Sequence, residues 1–229
     1  MSKNKTSLPA CLPAVVLLSG GLDSAVGLYL ARKQGFECFC LIFDYGQRHK
    51  KEIAAAERVA RRAGCRFKTL KLDLARNGCA LLDRTIKIRP DAAGIPNTYV
   101  PARNIIFLSL AFSYAEALCA EAVFIGAHAY DYSGYPDCRP EFFAAFKRAI
   151  AAGTKSGVEK KKIALFTPLL HKSKSEIIKL GARLKVPFEL TWSCYRGGRF
   201  PCGRCDSCRF RAKGFKESGM KDPALAHIR

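Results

Sequence analysis

The stretch Ala14-Val15-Val16-Leu17-Leu18-Ser19-Gly20-Gly21-Leu22-Asp23-Ser24 decides the architecture. Five apolar residues at 14–18 read as a buried strand, and the residues at 19–24 read as a Gly-rich turn. AVGLYLARKQG (25–35) follows with helical apolar spacing and a closing glycine. Such a turn suits an anion. Amides at a helix start point outward, the helix dipole favours negative charge, and glycines let the backbone approach a phosphate closely. Ser19 and Ser24 add hydroxyl donors. Asp23 cannot bind phosphate directly, so it is expected to hold Mg2+ or to orient the loop. No lysine follows the glycines, so this is not a Walker loop, and the dinucleotide pattern with three spaced glycines is absent too.

The alternation continues outward from this unit. ECFCLIFDYG (37–46) reads as a second strand, QRHKKEIAAAERVARRAG (47–64) as an amphipathic helix and CRFKTLKLD (65–73) as a third strand. Residues 74–102 carry three prolines and read as irregular. A helix is expected over 104–120, a strand over 122–127, a helix over 139–153, a strand over 163–168 and a basic helix over 171–184 that begins near Ser173. The expected fold class is α/β, with an open, mostly parallel sheet covered by helices on both faces. A small C-terminal metal module follows. The division expected is an α/β domain at 13–189 and a metal-binding module at 190–229 packed on it.

That module rests on Cys194, Cys202, Cys205 and Cys208, which crowd into fifteen residues. Two consecutive Cys-x2-Cys steps with a fourth cysteine nearby suit a tetrahedral thiolate site. Zinc is the expected ion, one per chain and structural because protein fills all four positions. An iron–sulfur cluster is the rival for such spacing. The chain has 11 cysteines, an odd number scattered through 229 residues, which argues against a secreted disulfide scaffold and for a reducing, cytoplasmic setting.

Charge is uneven. The chain carries +20, of which residues 1–138 supply +6 and residues 139–229 supply +14. A basic half suits anionic substrates or a polyanionic partner, and equally a solvated surface. Lys161, Lys162, Lys172 and Lys174 are expected on that solvated surface rather than on phosphate. No run reaches the ~18 apolar residues of a membrane span. The opening residues look faintly like a signal peptide, but the apolar run leads directly into the glycine turn and reads as a strand.

The Ser-Gly-Gly-x-Asp-Ser string resembles the pyrophosphate loop of the ATP pyrophosphatases, whose fold is the adenine-nucleotide α-hydrolase type. That resemblance implies ATP cleavage between the α and β phosphates. Longer strings are more specific. SGGLDS (19–24), FDYGQRHKKEI (43–53), YVPARN (99–104), DYSGYPDCRPEF (131–142) and TWSCYRGG (191–198) followed by CGRCDSCRFRAKGF (202–215) together resemble the 7-cyano-7-deazaguanine synthase family of queuosine biosynthesis. The likeness covers residues from about 14 to 216. The segment before Pro13 lies outside it.

The resemblance implies an enzyme that converts 7-carboxy-7-deazaguanine, ammonia and ATP into the 7-nitrile through adenylated acid and amide intermediates, releasing AMP and pyrophosphate. It assigns Leu18, Ser19, Gly20, Gly21, Leu22, Asp23, Ser24 and Ala25 to ATP, and Asp23, Ser24 and Arg103 to catalysis. The candidate substrate contacts are Arg103 for negative charge on the carboxylate or phosphates, Asp131 and Asp137 for the guanine-like edge, and Tyr132 or Tyr135 for stacking on the ring. Mg2+ is expected with ATP, and a homodimer is expected, with no membrane and no obligatory nucleic acid. Residue 2 is Ser and no room remains for a glutaminase domain, so free ammonium or a separate protein is the expected nitrogen donor. Two other readings remain beside this one. A tRNA thiolase or tRNA-modifying ligase would use the same loop and the basic half, and a zinc-ribbon nucleic-acid-binding module would use only the cysteine cluster.

Overall fold

A computed structural model of the chain describes residues 12–75, 78–89, 94–129 and 134–225. Five parallel strands form one sheet in the order β3-β2-β1-β4-β5, with β1 at Leu12–Leu17, β2 at Phe36–Asp44, β3 at Arg66–Lys71, β4 at Ala122–Ile125 and β5 at Ala164–Phe166. The chain winds outward from β1 through β2 to β3, then crosses to β4 on the other side. The direction of winding therefore reverses between β1 and β4, where open sheets of this kind bind ligands. Leu17 is in register with Leu41 of β2 and Ile125 of β4, so β1 and β4 end at one level while β2 runs on to Asp44.

Alternation along the strands feeds two cores. Val16, Leu18, Cys40, Ile42 and Phe124 face a layer made by α1 (Leu22–Lys33), α2 (Lys51–Arg62), α6 (Lys174–Arg183) and α7 (Asp206–Ser218). Val15, Leu17, Leu41, Phe43 and Val123 face the opposite layer, where α3 (Arg103–Ala117) and α4 (Pro140–Gly153) supply Leu108, Phe112, Phe143 and Phe146. This is the layered α/β arrangement expected. Cys38 and Cys40 are buried in the first core. They act there as small apolar side chains.

The helix after the glycine turn starts at Leu22, three residues before the apolar spacing predicts, because Gly21 already serves as its cap and its carbonyl accepts the Ala25 amide at 3.1 Å. The helix expected from 47 starts only at Lys51. Helix α6 opens as expected near Ser173, which forms a reciprocal capping box with Glu176. Two helices carry no apolar periodicity and were not expected: the four-residue α5 (Lys155–Val158) and α7. Helix α7 holds to the body through Phe215, 2% exposed in the first core. A buried phenylalanine contributes roughly 2–3 kcal/mol. Among the described residues, no helix is long and apolar enough to cross a membrane.

Candidate active site at the carboxyl ends of the strands

The central strand ends open into a cleft of about 300 Å³, lined by residues of every segment that meets there. Its floor is the glycine turn. Gly20 adopts φ +81°, and a β-carbon there would overlap the Glu52 carbonyl and the Ala56 amide of α2. Only glycine lets the turn lie this close to that helix. Ser24 locks the turn from inside: its hydroxyl donates to the Gly21 carbonyl at 3.0 Å, accepts the Ser19 amide at 3.2 Å and meets the Ser19 hydroxyl at 3.0 Å. Gly126, at the end of β4, lies against Asp23 and Ser24 where a β-carbon would sit 2.8 Å from backbone. Ser19, Gly21, Leu22, Asp23, Ser24 and Leu18 line the cleft, whereas Ala25 is buried in the core and Gly20 faces α2.

Asp23 does not present a free carboxylate. Both its oxygens accept from Lys174 Nζ at 2.8 Å, and His128 Nε2 lies 3.5 Å from Oδ2 and 2.9 Å from the same Nζ. Burial alone would raise the Asp23 carboxyl, but the Lys174 and His128 charges outweigh it and hold the group below the usual carboxylate range. Lys174, expected on the solvated surface, is therefore a cleft residue whose side chain is 12% exposed. The capping box at Ser173 explains this: it fixes the first turn of α6 with the lysine aimed at Asp23 of the glycine turn. Lys161 and Lys162 are exposed, and Lys172 does not line the cleft.

Arg103 opens α3 and faces the cleft from the other side, with Nη1 3.5 Å from the Tyr45 hydroxyl. Burial works against its charge, yet Tyr45, Tyr135 and Asp137 around it hold it cationic. Tyr135 lines the cleft and its hydroxyl pairs with Thr98 at 2.7 Å. Asp137, expected on the guanine-like edge, is instead buried behind that wall. Its carboxylate accepts the Asn104 amide at 3.0 Å and its carbonyl accepts Asn104 Nδ2 at 3.0 Å. It fixes the start of α3 and hence Arg103. Asp131 and Tyr132 lie outside the described residues. An aromatic wall was not foreseen: Phe43 and Phe107 stack with centroids 4.0 Å apart, and Tyr45 meets Phe107 edge-on.

Glu52 also lines the cleft and was not singled out from the sequence. Burial pushes its carboxyl up to about 7, against the pull of Arg103. The signal was present, since Glu52 lies in the matched string that follows the end of the second strand, but its place in a charged helical run hid it.

The four sulfurs of Cys194, Cys202, Cys205 and Cys208 lie within 4.8 Å of one another. Backbone amides point at them: Arg196 and Cys202 donate to Cys194 Sγ at 3.4 and 3.3 Å, and Arg204 and Cys205 donate to Cys202 Sγ at 3.4 Å each. Four converging thiols with amide donors at the sulfurs fit a soft tetrahedral cation, so this group could hold a metal ion. The cluster is wired to the cleft. The Trp192 amide donates to the Gly20 carbonyl at 2.9 Å and its indole donates to the Cys194 carbonyl at 2.8 Å. Lys51 sits 4.5 Å over the Trp192 ring and donates to the Arg199 carbonyl at 3.2 Å. Arg211 of α7, buried, forks onto Asp222 at 2.6 and 2.9 Å and donates to Thr191 at 2.8 Å.

Residues 13–219 match the family model described as queuosine biosynthesis protein QueC. The chain belongs to that family. Its relatives include 7-cyano-7-deazaguanine synthase of Acetivibrio thermocellus, 54% identical over 213 residues that cover 91% of this chain and 95% of that protein. The enzyme of the same name from Saccharophagus degradans is 52% identical over 215 residues, covering 92% and 96%. Among solved structures, the NMN synthetase of Francisella tularensis shares the fold with a TM-score of 0.50 at 18% identity, covering 93% of this QueC-family chain and 79% of that one.

Proposed function

We propose that this QueC-family chain is an ATP-dependent ligase that converts 7-carboxy-7-deazaguanine and ammonia to 7-cyano-7-deazaguanine, as its near-full-length relatives are named to make. The observation that carries the reading is one cleft joining a glycine turn suited to phosphate to a half-buried arginine and an aromatic wall. The turn at 19–24 receives the ATP phosphates. Its amides and the Ser19 and Ser24 hydroxyls are the donors, and Lys174, held by Asp23, places a positive charge beside them. Arg103 offsets the negative charge of the substrate carboxylate or the α-phosphate. The planar deazaguanine lies against the aromatic side of the cleft, where Tyr135 stands.

Two activations follow from this arrangement. The carboxylate attacks the α-phosphorus, pyrophosphate leaves, and ammonia displaces AMP to give the amide. The amide oxygen then attacks a second ATP in the same way. No cysteine nucleophile is needed. Cys138, the thiol on the cleft wall, is pushed up to about 11 by burial, which keeps it protonated and unreactive.

Zn2+ is the ion proposed for the four cysteines, one per chain and structural, with all coordination supplied by protein. Mg2+ is proposed to arrive with ATP. Asp23 as found orients Lys174, so no protein ligand is assigned to that ion. A homodimer, a cytoplasmic setting, no obligatory nucleic acid, and a division into an α/β domain at 13–189 with a zinc module at 190–229 complete the reading. Exchange of labelled pyrophosphate into ATP tests it. Exchange that depends on the 7-carboxy acid supports the adenylation step. Exchange unaffected by the acid removes it.

A further inference from the structure

We propose that Glu52 is the base that accepts the amide protons in the nitrile-forming half of the reaction. The inference rests on the function proposed above and names a group that reaction requires. An amide carries two N–H bonds and a nitrile carries none. After the amide oxygen has bonded to the α-phosphorus, one N–H proton leaves to give the neutral imidate. The second leaves as the C–O bond breaks: its N–H electron pair becomes the third C–N bond, and the former amide oxygen departs with AMP. A proton acceptor must therefore stand beside the carbon whose oxygen is bound at the phosphate turn.

Among the described residues, three carboxylates line the cleft: Asp23, Glu52 and Asp206. Asp23 is committed to Lys174 on both oxygens, and Asp206 is 8% exposed with a partner of its own. The Glu52 side chain makes no hydrogen bond or ion pair with a described residue. Its backbone is the surface on which Gly20 rests, so its side chain leaves α2 at the edge of the phosphate turn. The titratable groups around it come from every neighbouring segment: Arg103 of α3, Tyr45 beyond β2, and Tyr195 and Cys194 of the C-terminal segment. The alternatives are poorer bases. The Tyr45 hydroxyl is pushed up to about 12 by burial, and His128 is engaged with Lys174 and Asp23. A carboxyl raised to about 7 by burial is poised to take and release a proton near neutrality.

The test offers the synthetic 7-amide with Mg·ATP to wild type, Glu52→Gln and Glu52→Asp, each confirmed as folded by circular dichroism and as carrying the wild-type metal content. A positioned base contributes roughly 10²–10⁴-fold. Glu52→Gln is expected to lower kcat for nitrile formation at least about 100-fold with KM for the amide nearly unchanged, and Glu52→Asp to keep part of the rate. Supplied with the acid and ammonium, Glu52→Gln is expected to accumulate amide. The wild-type kcat should rise with pH and level off, and that limb should vanish in Glu52→Gln; a merely structural role would not remove it. Wild-type nitrile formation matched by Glu52→Gln overturns the assignment of Glu52 alone. Wild type that makes no nitrile overturns the proposed function itself.

Discussion

Lys174 shows how one side chain changes the account of a site. Its ammonium sits between both Asp23 oxygens and His128 at the rim of the glycine turn. Replacing it with Met leaves a part-buried carboxylate with His128 beside it and the Arg211 charge farther off. Lys174→Met is expected to raise the KM for ATP by roughly 10-fold and to lower stability by about 1–3 kcal/mol, read by AMP release and by urea midpoint. The pH signature has a defined sign. The folded Asp23 titrates below its ordinary range, so its stabilisation is present at neutral pH and is lost as pH falls through that depressed value. Lys174→Met should lose this acid-side step. Glu52 has the opposite sign. Its folded value is raised to about 7, so ionising it removes stability as pH climbs from its ordinary range to about 7. Glu52→Gln should therefore be more stable than wild type at pH 8, by about 2 kcal/mol, and no more stable at pH 4. Equal stability of the two proteins at pH 8 would show that burial of this carboxyl carries no strain.

At the scale of elements, the strand–turn–helix unit depends on Gly20. Its positive φ and its close approach to α2 leave no room for a methyl group. Gly20→Ala is expected to cost at least about 2 kcal/mol and to abolish ATP-dependent turnover, because the turn must lift away from α2. Thermal unfolding and AMP release check both parts. This unit and the sheet were legible in the sequence because short continuous apolar runs, a glycine turn and helical spacing all agreed there. Helix α7 was not legible, because its sequence DSCRFRAKGFKES buries a cysteine, an arginine and one phenylalanine rather than an apolar stripe. Lys174 was misplaced for a similar reason. Within a basic run no local pattern separates a solvated lysine from one aimed at a carboxylate 151 residues away. Asp137 looked like a ligand because it stands in a Tyr-rich loop, yet its carboxylate is used to hold the start of α3.

Across the whole molecule, the four-cysteine cluster and the glycine turn are mechanically joined. Trp192 bonds to Gly20 on one side and to Cys194 on the other, and Tyr195, Ser193 and Arg211 of the same segment line the cleft. A metal that orders residues 194–208 therefore also orders one wall of the site. Removing it with a chelator under reducing conditions is expected to abolish turnover and lower the melting temperature by several degrees. Re-addition of Zn2+ should restore both. Activity that survives complete metal removal would separate the cluster from the cleft. The basic charge of the C-terminal half fits this picture, since Lys174 and Arg211 belong to it and face the site rather than the surface. The measurement that bears most directly on the central claim is product formation by the metal-loaded protein given Mg·ATP, ammonium and 7-carboxy-7-deazaguanine, read by mass spectrometry. The account predicts 7-cyano-7-deazaguanine with about two AMP released for each nitrile, one for each adenylation. Folded, metal-loaded protein that forms neither nitrile nor acid-dependent AMP would contradict it.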